Sequence, residues 1–257
     1  MSAGDLIKKL YAYATGRGNL KRTTPGQLGP LSMTEYGQLL TQPLDRVWLA
    51  THGKYFTAHN PTNDASTTLA GHAAPVLVDA DATLTKPFIF MRVPNSVSKL
   101  VVLDYIEQEV VTAGANGTAD NWAAQLDTGN TRWSSGGTAP TIVNPNMQST
   151  DASLFAGQAN SLLMGAPVAS AEVNARDLGF GQIRAAIEFA GDRTMFRFGG
   201  DPTSGGGVVA GAASRHIVTM PPVILGAQDM FLLAKYAPSQ SAAGVYKVRM
   251  GWWELGA

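Results

Sequence analysis

Polar and apolar residues alternate most regularly near the end of the chain. Tyr246, Val248, Met250 and Trp252 fall on one side of an extended segment, and Lys247, Arg249 and Gly251 on the other. A period of two, carried by β-branched and aromatic residues, predicts a half-buried strand. Met230 to Tyr236 is a second apolar run, and the Ala-Pro-Ser-Gln-Ser-Ala-Ala-Gly segment between the two is turn chemistry. Residues 229–255 therefore predict a strand-loop-strand unit whose last strand carries Trp252 and Trp253. Each large aromatic can bury ~150–250 Å², so this strand is expected to anchor the fold.

The same reading extends back to about Val47. Strands are predicted at Val47–Ala50, Lys54–Ala58, Ala74–Val78, Phe88–Val93, Leu100–Thr112, Trp122–Leu126, His216–Met220 and Val223–Leu225. In Leu178–Ala190, Ile183, Ala185, Ile187 and Phe189 oppose Gln182, Arg184 and Glu188. Gly191-Asp192 then predicts a tight hairpin into Arg193–Phe198. The segments 112–121, 128–146 and 199–214, rich in Gly, Ser, Thr, Asn and Pro, read as surface connections. Many short strands at roughly regular spacing predict an all-β fold, a β-sandwich or jelly-roll-like domain over residues 46–257.

The first 45 residues read differently. Ser2 with Asp5 resembles a capping box, Leu6, Leu10 and Tyr13 lie at helical spacing, and Gly16 is a stop, which predicts a helix over residues 2–15. The run from Gly16 to Pro30 has no period, and a structureless stretch of this length is uncommon inside a compact domain. Residues 1–45 are thus expected to be an N-terminal helix and extended arm. A short helix packed on its own domain is the plainer alternative. Leu6, Leu10, Tyr13, Leu28, Leu31 and Tyr36 are the candidate interaction residues, since apolar groups that cannot form a core of their own mark contact sites. Lys8, Lys9, Arg17, Lys21 and Arg22 make the arm locally basic, as a solvated face often is.

Composition sharpens this picture. Only 15% of the 257 residues are charged, against ~25% in ordinary globular proteins, while 45% are hydrophobic. Interface cores are depleted in charge, so the deficit points to a homo-oligomer. The formal net charge is zero, which gives no electrostatic support to a nucleic-acid-binding role. With no cysteine, disulfides and thiolate chemistry are excluded. No apolar run approaches the ~18 residues of a membrane-spanning helix. Lys8 and Lys9 are not followed by the apolar stretch of a signal peptide.

Candidate chemistry is sparse. His52, His59, His72 and His216 show no metal-ligand spacing, although His52 and His59 could approach each other across a hairpin. Asp79-Ala80-Asp81 resembles the start of a calcium loop without its later ligands, and a solvated turn is the simpler reading. Glu107 and Glu109 lie on one strand face about 7 Å apart, a separation found between glycosidase carboxylates, but with no cleft to go with them a solvated strand face is the simpler reading. Trp122 and Trp133 could stack on sugars, although Trp in β proteins is usually core. Gly179-Phe180-Gly181 reads as a bulge, and Gly205-Gly206-Gly207 lacks the residues of a phosphate cradle. Asn116-Gly117-Thr118 is a formal glycosylation sequon. No catalytic, cofactor or metal residue is assigned, and the chain is expected not to be an enzyme.

Several motifs carry a resemblance. Leu126-Asp127-Thr128-Gly129, Arg132-Trp133-Ser134-Ser135-Gly136-Gly137-Thr138, Val143-Asn144-Pro145-Asn146, Pro221-Pro222-Val223-Ile224, Pro238-Ser239-Gln240 and Gly251-Trp252-Trp253-Glu254 resemble a family of tailed-bacteriophage virion structural proteins. The similarity runs from about Tyr55 onward. It implies a non-enzymatic particle protein located in the virion and assembled in the host cytoplasm. The form expected is a capsid decoration or cement protein that binds itself, as a trimer, and the major capsid protein or other virion proteins. A tail, collar or fibre-base component, or a host-glycan-binding module, is the alternative.

Overall fold

A computed structural model describes residues 50, 52–59, 67–68, 84–95, 99–114, 119–129, 131–170, 174–185, 188–199, 214–236 and 244–256. The helix expected over residues 2–15, the arm with Leu6, Leu10, Tyr13, Leu28, Leu31 and Tyr36, and the strand at 74–78 lie outside them. So do His72, Asp79, Asp81, the sequon and the triple glycine.

The described residues form strands and no helix. In chain order these are β1 (Tyr55–His59), β2 (Thr67–Thr68), β3 (Ile89–Arg92), β4 (Lys99–Thr112), β5 (Asp120–Asp127), β6 (Trp133–Thr138) and β7 (Thr141–Val143). They are followed by β8 (Leu162–Ala169), β9 (Arg176–Arg184), β10 (Arg193–Phe198), β11 (Arg215–Met220), β12 (Ile224–Leu225), β13 (Met230–Tyr236) and β14 (Val245–Gly256). They build two sheets. The larger runs β11-β10-β4-β14-β1-β7, with β12 added on β4 and β2 on β14. The smaller runs β6-β8-β3-β13-β5-β9.

The terminal pair is central to both layers. β14 lies between β4 and β1, and β13 lies between β3 and β5. The alternation in β14 is realised over its first half: Tyr246, Val248, Met250 and Trp252 are buried and Lys247 and Arg249 face outward, but Gly251, expected on the outer side, is buried. Two register breaks against β4, at Val245/Tyr246 and Gly251/Trp252, interrupt the strand. Such bulges add local twist, and one of the two sheets is a half-barrel.

One continuous apolar core fills the space between the layers. Phe56, Ile106, Phe196, Val248 and Trp252 of the larger sheet meet Ile89, Met91, Met164, Phe231 and Leu233 of the smaller. The smaller sheet is apolar on its other face too, where Phe90, Leu163, Met230 and Leu232 form a second cluster with Leu84 and Trp133. That double burial explains why β3 and β13 read as continuous apolar runs rather than as alternation.

The structure departs from two local expectations. Gly191-Asp192 does not close a hairpin, because β9 belongs to the smaller sheet and β10 to the larger. The turn instead carries the chain from one layer to the other. The side chain of Asp192 shapes it, accepting hydrogen bonds from the backbone N–H of Phe189 (2.7 Å) and Ser214 (2.7 Å). The residues before this turn also sit opposite to the alternation pattern, with Glu188 buried and Phe189 exposed. The regular strand ends at Arg184, so its period no longer governs the segment beyond. In addition, β10 and β11 run parallel. A parallel pair needs a crossover connection of a dozen or more residues, and the long Gly-rich stretch between Phe198 and Arg215 supplies one.

Candidate functional site

The most unusual chemistry is an ionic cluster at one end of the space between the sheets. Lys235, near the end of β13, is almost fully buried. Its Nζ lies 2.6 Å from Glu188 Oε2 and 3.0 Å from Asp120 Oδ2. Asp120 opens β5, the neighbour of β13, and Glu188 lies in the segment that crosses between the sheets. Tyr246 of β14 donates its hydroxyl to Glu188 Oε1, and its ring faces the ammonium, with Nζ 5.1 Å from the centroid. Gly244 closes over the group. A Cβ there would approach the Tyr246 hydroxyl and Glu188 Oε1, so the close approach requires glycine.

Two carboxylates share one ammonium in a dry interior, and the electrostatics follow from that. Burial pushes Asp120 up to about 6, with Lys235 pulling it down and Glu188 pushing it up. Burial also opposes charge on Lys235, but the two carboxylates outweigh it and hold its pKa above the ordinary lysine value. The Tyr246 phenol is raised by burial and by the Glu188 carboxylate. Asp120 Oδ1 is buried with no hydrogen-bond partner.

A second polar centre fixes the far face of the smaller sheet. Arg132 is completely buried, and its guanidinium donates to Gln125 Oε1 (2.7 Å), Asp127 Oδ2 (3.3 Å), Leu84 O (3.1 Å) and Ser170 O (3.1 Å). It ties three separate segments onto β5, which is a positioning role. Glu254 does the same on β14. It accepts hydrogen bonds from Ser153 Oγ (2.6 Å), the Leu154 N–H (3.0 Å to Oε2) and Trp252 Nε1 (3.1 Å). Phe155, held by that segment, packs edge-on to Trp252.

The residues singled out in the sequence fall elsewhere. Glu107 and Glu109 do share a face of β4, but each is held by an arginine rather than left in solvent. Arg249 grips Glu107 through two bonds of 2.8 and 2.9 Å, and Arg193 Nη2 lies 2.9 Å from Glu109 Oε2. They form cross-strand ion pairs on neighbouring strands. Trp122 is packed inward, edge-on to Phe196 at 5.9 Å, with its ring against the glycines of Gly179-Phe180-Gly181. The register of β5 against β9 breaks beside that motif, at Ala124/Gln125, so the bulge is there. Trp133 is half-buried on the second apolar cluster and donates its indole N–H to Gly136 O at 3.0 Å. His52 lies in a turn, His59 in β1 and His216 in β11. Among the described residues no three metal-capable side chains cluster together.

Comparison of the chain with protein-family models, with curated proteins and with solved structures finds no match.

The ionic cluster was missed because its members sit in unlike contexts. Lys235 lies within an apolar run, Glu188 on the nominal polar face of a strand, and Asp120 in a loop-like stretch. The one available signal was Lys235 itself. A charged residue within an apolar, buried strand requires partners.

Proposed function

We propose that this chain is a non-enzymatic structural protein of a tailed-phage virion. Its expected role is that of a capsid decoration or cement protein that stabilises a shell through subunit contacts. The motif resemblance motivates this reading, and the character of the surface supports it. Charged side chains are few, and several are already engaged with each other, as in Glu107–Arg249, Glu109–Arg193 and Lys54–Asp151. Large apolar side chains meanwhile stand exposed, Met147 at 97% and Phe180 at 75%. Apolar exposure on a charge-poor surface is what contact with other subunits would use. We read the two packed sheets as a β-sandwich of jelly-roll-like type, with residues 1–45 as the arm that docks on the shell or on a neighbouring copy.

Sedimentation of the purified chain tests the association. The expected result is a stable homo-oligomer, with a trimer the form anticipated, and a monomer of 27.0 kDa at micromolar concentration would overturn it. Imaging intact particles with the protein labelled separates the capsid surface from a tail, collar or fibre-base position. A glycan array tests the host-glycan alternative. Trp122 and Trp133, the aromatics whose rings could stack on sugars, both take part in packing.

A further inference from the structure

The buried cluster around Lys235 has the geometry of a reaction centre as well as that of an ion pair. Lys235 and Asp120 project from adjacent antiparallel strands, β13 and β5, toward the same interior. The amine nitrogen and the carboxyl group are already in contact at 3.0 Å. A third group, Glu188, touches the same nitrogen at 2.6 Å. All three side chains are almost fully removed from water. Reacting groups held at contact distance gain a very large effective concentration, on the order of 10⁵ M or more in well-oriented cases.

We propose that Lys235 and Asp120 become joined by an intramolecular amide bond, with Glu188 as the catalytic proton carrier. The reaction needs a neutral amine and a neutral carboxylic acid, and a dry site disfavours the charged form of both. The two carboxylates still favour the ammonium, so the amine arises only by handing a proton to Glu188. Glu188 delivers that proton to Asp120, whose Oδ1 has no partner and is free to carry it. The Nζ lone pair then attacks Asp120 Cγ and forms the C–N bond. A second proton leaves the nitrogen, again through Glu188, and reaches the departing carboxyl oxygen. That oxygen is expelled as water when its bond to Cγ breaks. Overall, one ammonium and one carboxylate become one amide and one water. Glu188 is regenerated, no electrons are transferred and no co-reactant is consumed. Tyr246 positions the carrier by donating its hydroxyl to Glu188 Oε1.

An unreacted ion-pair cluster would keep every atom, so mass separates the two cases. The full-length chain is folded, then denatured and weighed intact by mass spectrometry. The expected mass is that of the sequence less one water. Proteolysis should release a branched peptide joining the segments around Asp120 and Lys235. Lys235→Arg and Asp120→Ala should restore the full sequence mass. Asp120→Asn should instead lose one ammonia, since its leaving group is an amine. Glu188→Gln, shown by circular dichroism to be folded, should keep the full mass. A folded wild-type chain that retains its full mass after prolonged incubation would overturn the proposal, whatever the variants do. A water loss that maps to other residues would overturn it equally. Bond formation undiminished in Glu188→Gln would remove the role assigned to Glu188.

Discussion

His216 shows how a single side chain can make this fold sensitive to pH. It sits on β11 with Nε2 buried and without a partner. Burial lowers its pKa below the ordinary imidazole value, with Asp192 opposing that shift and Arg184 and Lys235 adding to it. The unfolded chain thus binds a proton more readily than the folded one in this range. The stability contributed by neutral His216 is present above about pH 6.5, the unperturbed imidazole value, and is lost as pH falls below it. Asp120, held up to about 6 by burial, has the opposite slope in the same range. The His216 contribution is therefore read as the difference in urea midpoint between wild type and His216→Gln, which should shift in favour of the variant between neutral and mildly acidic pH. An identical slope in the variant would show that His216 does not contribute.

Gly251 makes the corresponding point for an element. It was placed by alternation on the polar side of β14, yet it is buried. A Cβ there would run into the Tyr55 hydroxyl and, at 2.6 Å, into Tyr105 Cε1. The two tyrosines from β1 and β4 therefore lean across the central strand only because that position has no side chain. Gly251→Val should destabilise the protein by about 1–3 kcal/mol, the usual cost of overpacking, read as a lowered thermal transition. An unchanged transition would mean the rings swing away freely. Elements of this kind set the limits of what could be read in advance. β14, β13, β4 and β10 are legible because period two or a continuous apolar run marks them. β6, β7 and β8 are not, since Trp133–Val143 is rich in Ser, Gly and Thr and reads as loop, while Leu162–Ala169 has no alternation. The assignment of strands to sheets was also out of reach. Nothing local distinguishes a turn that closes a hairpin from one, like Gly191-Asp192, that crosses between layers. The Lys235 cluster was hidden for the same reason, as its members meet only through long-range pairing.

At the scale of the whole molecule, the two sheets contain a continuous core of their own. If residues 1–45 are an arm that docks elsewhere, deleting them should leave the thermal transition of the β domain nearly intact and abolish attachment to particles. Normal particle binding by the truncated chain would end the docking idea, and failure to fold would place the arm in the domain itself. The order of the strands bears on how such a molecule is made. β1 is synthesised well before the partner that covers its inner flank, β14, which follows roughly 190 residues later. At about 5–20 residues per second, β1 waits on the order of ten seconds or more beside the ribosome with that edge unpaired. Strands β4, β10, β11 and β12 can pair among themselves, and β1 with β7, as they are translated, but the two halves of the larger sheet join only when β14 arrives between them. Until then each half carries an open edge, which makes the newborn chain, rather than the finished one, the form most exposed to aggregation.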